Sequence, residues 1–342
     1  MMEVDLNPLA GGTNRFDWQA RGCLARPGGV KNETIWAQGF EALGVDPKEI
    51  VPVETKEGPS KTHCGVLITE QQMTTKSDRE AKTQLFFEHF EVQNYYLSND
   101  QTLAMYGTGR TTGLALNLGY GSTRGVAVYE GYTLPHTCAI QRSWGGKDLT
   151  NSIATALGLL SPGTDEDLFD RKLRAFAEGV KHRYGRVNAE AGGPPPPEPT
   201  TSLKMPDGSI IQLGSAVFDA TERLFGEVEE DRAANGMYVP MQRFVDNLIH
   251  SVDLDLNRDM RQNILLHGGT SLIPGLGERL KNEIKAIVRQ GARGDIKVIQ
   301  AGENPVWAGG SILGSLSTFD SMWITPAEYE ENGPGIVHRK CF

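Results

Sequence analysis

The sequence predicts an α/β protein, and three observations predict it. Short apolar runs of strand length, such as Gly65-Val66-Leu67-Ile68-Thr69 and Ile264-Leu265-Leu266, alternate with longer segments of helical periodicity. Between Ile264 and Ile299 the order strand, glycine loop, helix, strand is plain to read. Glycine-rich turns follow strand-like runs at Gly119/Gly121 and at Gly268/Gly269.

Taken in order, residues Met1 to Val30 form an irregular leader, with Gly11-Gly12-Thr13-Asn14 and Arg26-Pro27-Gly28-Gly29 but no sustained period. Glu33 to Leu43 places Ile35, Trp36, Phe40 and Leu43 as an amphipathic helix would. A polar insertion follows from about Asp46 to Thr62. Gly65 to Thr69 is a short buried strand, and Ser77 with Glu80 forms a capping-box pattern opening a helix through Leu85, Phe86 and Phe90. Tyr95-Tyr96-Leu97 and Leu114-Ala115-Leu116 are the next apolar segments. Gly119, Gly121 and the run Val126 to Tyr129 then read as a turn and second strand of a hairpin.

Helices are predicted over Asp148–Leu160 and Asp165–Val180. Residues 191–200, with Pro194 through Pro197 in a row, form an extended surface loop. Pro206-Asp207-Gly208 is a turn between two short strands. Helices follow over Ala216–Phe225 and Gln242–Ser251. In Glu278–Arg289, Leu280, Ile284, Ile287 and Val288 share one helical face. Ile296 to Ile299 is a strand, and Gly309 to Phe319 a helix of small residues.

Composition narrows the function class. With 342 residues the chain can bury a large core in two or three domains. No apolar run reaches the ~18 residues of a membrane span, and the N-terminus shows no secretory signal. Cys23, Cys64, Cys138 and Cys341 are widely spaced and fit no metal pattern, which argues for free thiols in a reducing compartment. The formal charge is −9, and no dense Lys/Arg stripe suggests nucleic acid.

The chemistry-bearing segments are the two glycine turns. Asn117-Leu118-Gly119-Tyr120-Gly121-Ser122-Thr123 and Gly268-Gly269-Thr270 let backbone N–H groups approach an anion closely. Neither matches the Walker A or dinucleotide patterns, and each taken alone also reads as an ordinary turn. More specific strings accompany them: Tyr106-Gly107-Thr108-Gly109-Arg110-Thr111-Thr112-Gly113, Tyr129-Glu130-Gly131-Tyr132-Thr133-Leu134-Pro135-His136, Met205-Pro206-Asp207-Gly208, and His267-Gly268-Gly269-Thr270. Near the end stand Trp307-Ala308-Gly309-Gly310-Ser311-Ile312-Leu313, Leu316-Ser317-Thr318-Phe319, Met322-Trp323-Ile324, and the run from Gly333 to Phe342.

From about Trp36 to Phe342 these strings resemble the actin family, and the resemblance is most specific at the C-terminus. It implies the actin-like ATPase fold shared with heat-shock chaperones and sugar kinases, here truncated at the N-terminus. It implies a subdomain 1-like part from 31–145 with 306–342, and a part like subdomains 3 and 4 from 146–305. The first phosphate hairpin and the segment that builds subdomain 2 are not found in the sequence. Gly119, Gly121, Ser122 and Thr123 match the second phosphate hairpin. Lys181, Gly268, Gly269 and Thr270 match the adenosine side.

The chain departs from the family where catalysis would sit. Actin carries aspartates where this chain has Asn117 and Tyr120, a histidine at Arg124, and the water-orienting glutamine at Asp100, with Gln101 adjacent as the one-residue-slip alternative. Glu303, Ile273 and His182 replace a lysine, a tyrosine and a glutamate. Phosphoryl transfer depends on positioning water, metal and phosphate charge, so the expectation is no catalytic residue, negligible ATPase activity, at most weak binding of ATP or ADP, and a poor Mg²⁺ site.

Tyr106, Gly109, Thr111, Glu130, Tyr132, Leu313, Leu316, Thr318 and Met322 match the family's barbed-end groove without departure. The resemblance therefore implies a catalytically degenerate scaffolding protein of the cytoplasmic cytoskeleton that docks partner helices, with actin, actin-related proteins or actin-binding proteins as partners and no membrane or nucleic acid. A chain that keeps one face only is expected not to form homopolymers. It would cap a filament or join a larger complex, a nuclear assembly being the alternative location. The rival readings are a polymerising, ATP-binding actin with weak ATPase, and a gene model lacking its first exon.

Overall fold

In the computed structural model the described residues are 36–37, 39–41, 50–55, 58–63, 65–142, 144–160, 171–193, 202–205, 208–226, 239–288, 296–302 and 304–341. They pack as two compact units. Unit one holds Thr112–Ala127 and His136–Asn304; unit two holds the described part of Asp17–Thr111 with Val128–Pro135 and Pro305–Phe342. The leader at 1–30, Cys23, Cys64, Pro206, Asp207, Glu303 and the proline run at 194–197 lie outside the described residues.

The described part of unit two begins with helical residues at 36–37 and 39–41, where an amphipathic helix is expected, and Trp36 and Phe40 pack against an aromatic cluster. The polar insertion is a two-stranded antiparallel ribbon, β1 (Ile50–Thr55) with β2 (Gly58–His63). Each strand of a two-stranded ribbon has a free edge, so Pro52 and Pro59 remove no obligatory ladder bond. Next come β3 (Gly65–Glu70), helix α1 (Lys76–Gln84), a π turn over Leu85–His89, and β4 (Asn94–Asn99), with β3 and β4 parallel. A parallel pair requires a crossover, and α1 is that crossover.

The cap of α1 differs from the expectation. Thr75, not Ser77, is the N-cap, with extended backbone and a side chain that accepts from the Asp78 N–H at 3.1 Å. Glu80 does not reach back to the cap. It faces outward to His338, whose Nε2 lies 2.8 Å away.

Phe86, Phe87, Phe90, Tyr95 and Phe319 are buried together, with Phe86 centred among Trp36, Phe40, Phe90 and Tyr95 at ring separations of 5.3–6.3 Å. Each such ring contributes about 1.5–3 kcal/mol by leaving water. From β4 the chain runs directly into α2 (Asp100–Gly107), capped by Asn99.

In unit one, β5 (Gly113–Leu118) and β6 (Thr123–Tyr129) lie side by side as the hairpin reading predicts. The last two residues of β6 belong to unit two, where they pair with β7 (Tyr132–Thr133). Strand β8 (Ala139–Gln141) pairs with β6. Helices α3 (Gly146–Ala156) and α4 (Arg171–Tyr184) follow. The turn at Gly208 joins β9 (Ser202–Lys204) to β10 (Ile210–Gln212), with Gly208 at φ 88°.

Then come α5 (Ala216–Glu222), α6 (Met241–His250), α7 (Asn257–Gln262), β11 (Ile264–His267), α8 (Leu276–Ile287) and β12 (Val298–Gln300). The unit's sheet has the order β12-β11-β5-β6, and β11 is parallel to both β12 and β5. Its central strands β5 and β11 are largely apolar and buried on both faces, as parallel strands covered by helices must be.

Unit two closes with α9 (Pro305–Gly314), a 3-10 turn over Ser317–Ser321, α10 (Pro326–Asn332) and α11 (Val337–Lys340). The expected helix from Gly309 to Phe319 therefore starts earlier and breaks. Leu316 is extended (φ −77°, ψ 127°), which lets Phe319 turn inward to Tyr96 at 4.9 Å.

Candidate nucleotide turn and partner surface

The parallel register sets the site in unit one. Ile264 pairs with Leu114, and His267 with Asn117, so β5 and β11 end at the same level. Both glycine turns leave the carboxyl ends of adjacent strands, where open α/β sheets place ligands. They touch each other: a Cβ at Gly268 would lie 2.7 Å from Asn117 Oδ1 and 2.7 Å from the Leu118 carbonyl oxygen. Gly268 sits at φ 88°, where a side chain costs roughly 1–2 kcal/mol. The Ser271 hydroxyl donates to the Gly268 carbonyl at 2.7 Å and fixes the second turn.

Helix α3 packs its N-terminus onto the first turn. The N–H of Gly146 donates to the Gly119 carbonyl at 2.9 Å, and that of Lys147 to the Tyr120 carbonyl at 2.8 Å. The Asp148 carboxylate accepts from the Gly145 N–H at 2.7 Å, while burial pushes its pKa up. Gly145 has no room for a side chain, because a Cβ would meet the Tyr120 carbonyl at 2.4 Å. The first N–H groups of this helix are thus committed to the protein itself.

Lys181 is only 6% exposed. Its ammonium donates to the Gly146 carbonyl and to the Thr150 hydroxyl, both at 2.9 Å, and Glu178 lies 4.0 Å away. Burial holds its pKa below the usual lysine value, with Glu178 opposing. Thr270 closes the same corner, since a Cβ at Gly146 would lie 2.8 Å from Thr270 Oγ1 and 3.4 Å from Lys181 Nζ. Thr123 is buried and its hydroxyl reaches the Trp144 carbonyl at 3.5 Å.

Arg124 lies beside the first turn. Its Nε is 3.4 Å from Ser122 Oγ, and its charge, after burial, helps depress the neighbouring His267 to about 3. His267 is therefore a neutral imidazole at physiological pH.

These residues fit the two halves of a magnesium nucleotide unequally. Among the described residues, no protein group accepts from the N–H groups of Tyr120, Gly121 and Ser122. A Cβ at Gly121 or Gly269 would meet nothing within 4 Å, so neither glycine is required by protein packing. A glycine turn with open space at its surface suits a phosphate chain. For a hard cation the chemistry is poor. Asn117 and Tyr120 offer no carboxylate, and no cluster of three or more metal-ligating side chains occurs among the described residues. Ile273 is buried, and His182 is exposed beside Glu178 at 3.8 Å.

Asp100 is in unit two. It is buried at the first position of α2, next to the Asn99 cap, whose Oδ1 accepts from the Gln101 N–H at 3.0 Å.

The nine groove positions all lie in unit two, and none is buried. Gly109, Thr111, Glu130, Tyr132, Leu316 and Thr318 are exposed; Tyr106, Leu313 and Met322 are half-buried. Tyr129 pairs with Tyr132, and the two residues between them, Glu130 and Gly131, have φ of 50° and 89°. Positive φ at both central positions is the type I′ pattern, which matches strand twist. The Gly131 N–H donates to the Thr111 carbonyl at 2.7 Å, and the Tyr106 hydroxyl to the Gly131 carbonyl at 3.4 Å. Burial and the neighbouring Tyr132 raise the Tyr106 pKa. Leu313 and Met322 pack on the aromatic core, leaving Tyr132 (60%) and Leu316 (48%) open to solvent.

Sequence reasoning missed Gly145, Gly146 and Thr150 as parts of the candidate nucleotide turn. The double glycine ahead of Asp148 was a usable signal for Gly145 and Gly146. Nothing local marks Thr150, whose role comes from packing across to α4. The comparison with known families agrees with the geometry: a family model described as Actin matches residues 31–342. A mixed sheet with two glycine turns at its carboxyl end, and a match over all but the first thirty residues, place this chain in the actin family.

Proposed function

We propose that this chain is a catalytically silent, scaffolding member of the actin family that docks partner helices on the Tyr132–Leu316 surface of unit two. The observation that carries this reading is the contrast between two sites. At the partner surface nine family-matching residues keep their identity, six of them exposed and three half-buried, with the turn beneath Tyr132 held by Thr111 and Tyr106. At the nucleotide turn the acids are replaced by Asn117 and Tyr120, and Arg124 stands where the family has a histidine. An amphipathic helix docks through apolar anchors, and Tyr132 and Leu316 are exposed apolar side chains of this set. A phosphoryl-transfer site without carboxylates near its metal lacks the means to position water and cation. The partners on this reading are actin, actin-related proteins or actin-binding proteins in the cytoplasmic cytoskeleton.

The test is a titration of the purified chain with a labelled amphipathic-helix peptide from an actin-binding protein, alongside a phosphate-release assay. Saturable binding is expected, weakened about tenfold or more by Tyr132→Ala or Leu316→Ala, as for interface anchors. Phosphate release is expected at background. Sustained Mg²⁺-dependent release, or peptide binding indifferent to both substitutions, overturns the proposal.

A further inference from the structure

A two-stranded sheet is marginal by itself, and parallel strands occur almost only inside larger, covered sheets. In unit two, β3 and β4 have that incomplete form among the described residues. We propose that a second copy of this chain completes the sheet. Strand β3 pairs antiparallel with β3 of the copy about a twofold axis through Leu67, giving a continuous sheet of order β4-β3-β3-β4 and a closed dimer.

The two edges of the pair differ. On the outer side of β4 the Tyr95 N–H donates to the Ile324 carbonyl at 3.0 Å, and the Ile324 N–H donates back to Tyr95 at 2.9 Å. The Leu97 N–H reaches Cys341 Sγ at 3.3 Å. Tyr96, between them, therefore turns its N–H and carbonyl toward β3. Leu67 lies opposite Tyr96, so the parallel ladder takes the carbonyl of Val66 and the N–H of Ile68. Gly65, Leu67 and Thr69 are left with N–H and carbonyl groups pointing outward. Among the described residues, no backbone group pairs with them there.

These outward groups are symmetric about Leu67, which is what a second copy requires. Laid antiparallel on itself, β3 matches Leu67 with its own counterpart and Gly65 with Thr69, each with bonds to exchange. Val66 then meets Ile68 on the other face, an apolar cross-strand pair. Natural edges are guarded by lysine or proline, and Gly65–Glu70 contains neither. Its one charge, Glu70, is buried and held by Arg79 at 3.1 Å, so a copy meets no like charge. Apolar surface flanks the edge. Gly310 of α9 lies against Leu67, since a Cβ there would be 3.6 Å from Leu67 Cδ2. Trp307, one turn away on the same side of α9, is 75% exposed. A twofold contact uses the same patch on both copies and closes on itself, so this dimer seeds no filament.

The experiment is sedimentation equilibrium of the full chain from about 1 to about 100 μM, with hydrogen exchange of the β3 amides at both ends of that range. The mass is expected to rise with concentration toward twice that of one chain. The amides of Gly65, Leu67 and Thr69 should be protected at high concentration and exchange at low. Thr69 is exposed, so Thr69→Lys puts a charge on the edge without touching the core. It should weaken the dimer about tenfold or more and leave the monomer's urea midpoint unchanged. Leu67→Cys is the second variant. Hydrogen-bonded antiparallel partners lie about 5.5 Å apart, within disulfide reach. Mild oxidation should therefore join two chains through position 67, as mass spectrometry of the linked peptide would show. A chain that stays monomeric throughout overturns the inference, as does growth beyond two copies. So does a dimer indifferent to Thr69→Lys and unlinked at position 67. Protection of the Gly65, Leu67 and Thr69 amides in the monomer also overturns it, because another segment of the chain would then hold the edge. Thr69→Lys should leave the peptide titration at Tyr132 and Leu316 unchanged, which keeps the two tests separate.

Discussion

The Tyr106 hydroxyl donates to the Gly131 carbonyl across 3.4 Å, and the same hydroxyl occupies the space where a side chain at position 131 would begin. A Cβ there would lie 2.3 Å from the Tyr106 oxygen, at a backbone φ of 89°. Gly131→Ala is therefore expected to cost about 1–3 kcal/mol, from left-handed strain and from displacing Tyr106. Since the turn presents Tyr132, peptide affinity at the partner surface should fall too. Urea unfolding and the peptide titration check the two effects.

Helices α2 and α9 cross with their backbones in contact. A Cβ at Gly309 would stand 1.8 Å from the Leu103 carbonyl oxygen, and one at Gly107 2.1 Å from that of Pro305. Both obstacles are main chain and cannot rotate away. Gly309→Ala is expected to destabilise the protein by about 3 kcal/mol or more, the upper range for overpacking. Gly314→Ala, where nothing lies within 4 Å, should be nearly neutral. Equal unfolding midpoints for the two variants would show that the helices do not pack this way.

Cys341 is 1% exposed, and its sulfur accepts from the Leu97 N–H at 3.3 Å. Burial first of all pushes its thiol up to about 11. The folded state thus favours the protonated thiol. Stability from this group is complete below the unfolded thiol value of about 8.5 and is lost as pH rises through about 11. Alkylation at neutral pH should modify the half-buried Cys138 and spare Cys341 until the protein is unfolded. Mass spectrometry of the labelled peptides decides it, and rapid native labelling of Cys341 would contradict the packing.

Much of the fold can be read from local pattern. Gly65 to Thr69, Leu114 to Leu116 and Ile264 to Leu266 are strands because apolar runs of that length have few other uses. Trp36 and Phe40 reach the core because helical spacing puts them on one face. Element ends are less legible. Thr75 replaces Ser77 as the cap because the chain is extended there and Asp78 is three residues on. The helix beginning at Pro305 stops at Gly314 because Phe319 is drawn inward against Tyr96. No local rule signals that pull.

At the candidate site the sequence by itself determined the chemistry. Glycines at positions 119, 121, 268 and 269, the amide and phenol at 117 and 120, and the guanidinium at 124 are fixed by identity. So are the residues of the proposed partner surface. The tertiary structure decided which of these groups are free to act. Register between β5 and β11 brings two distant turns together, α3 takes the Gly119 and Tyr120 carbonyls, and Lys181 is consumed by Gly146 and Thr150. The reason is physical: a side chain's donors and charge belong to the residue, but whether they face a ligand or a neighbouring backbone depends on contacts between segments far apart in the chain.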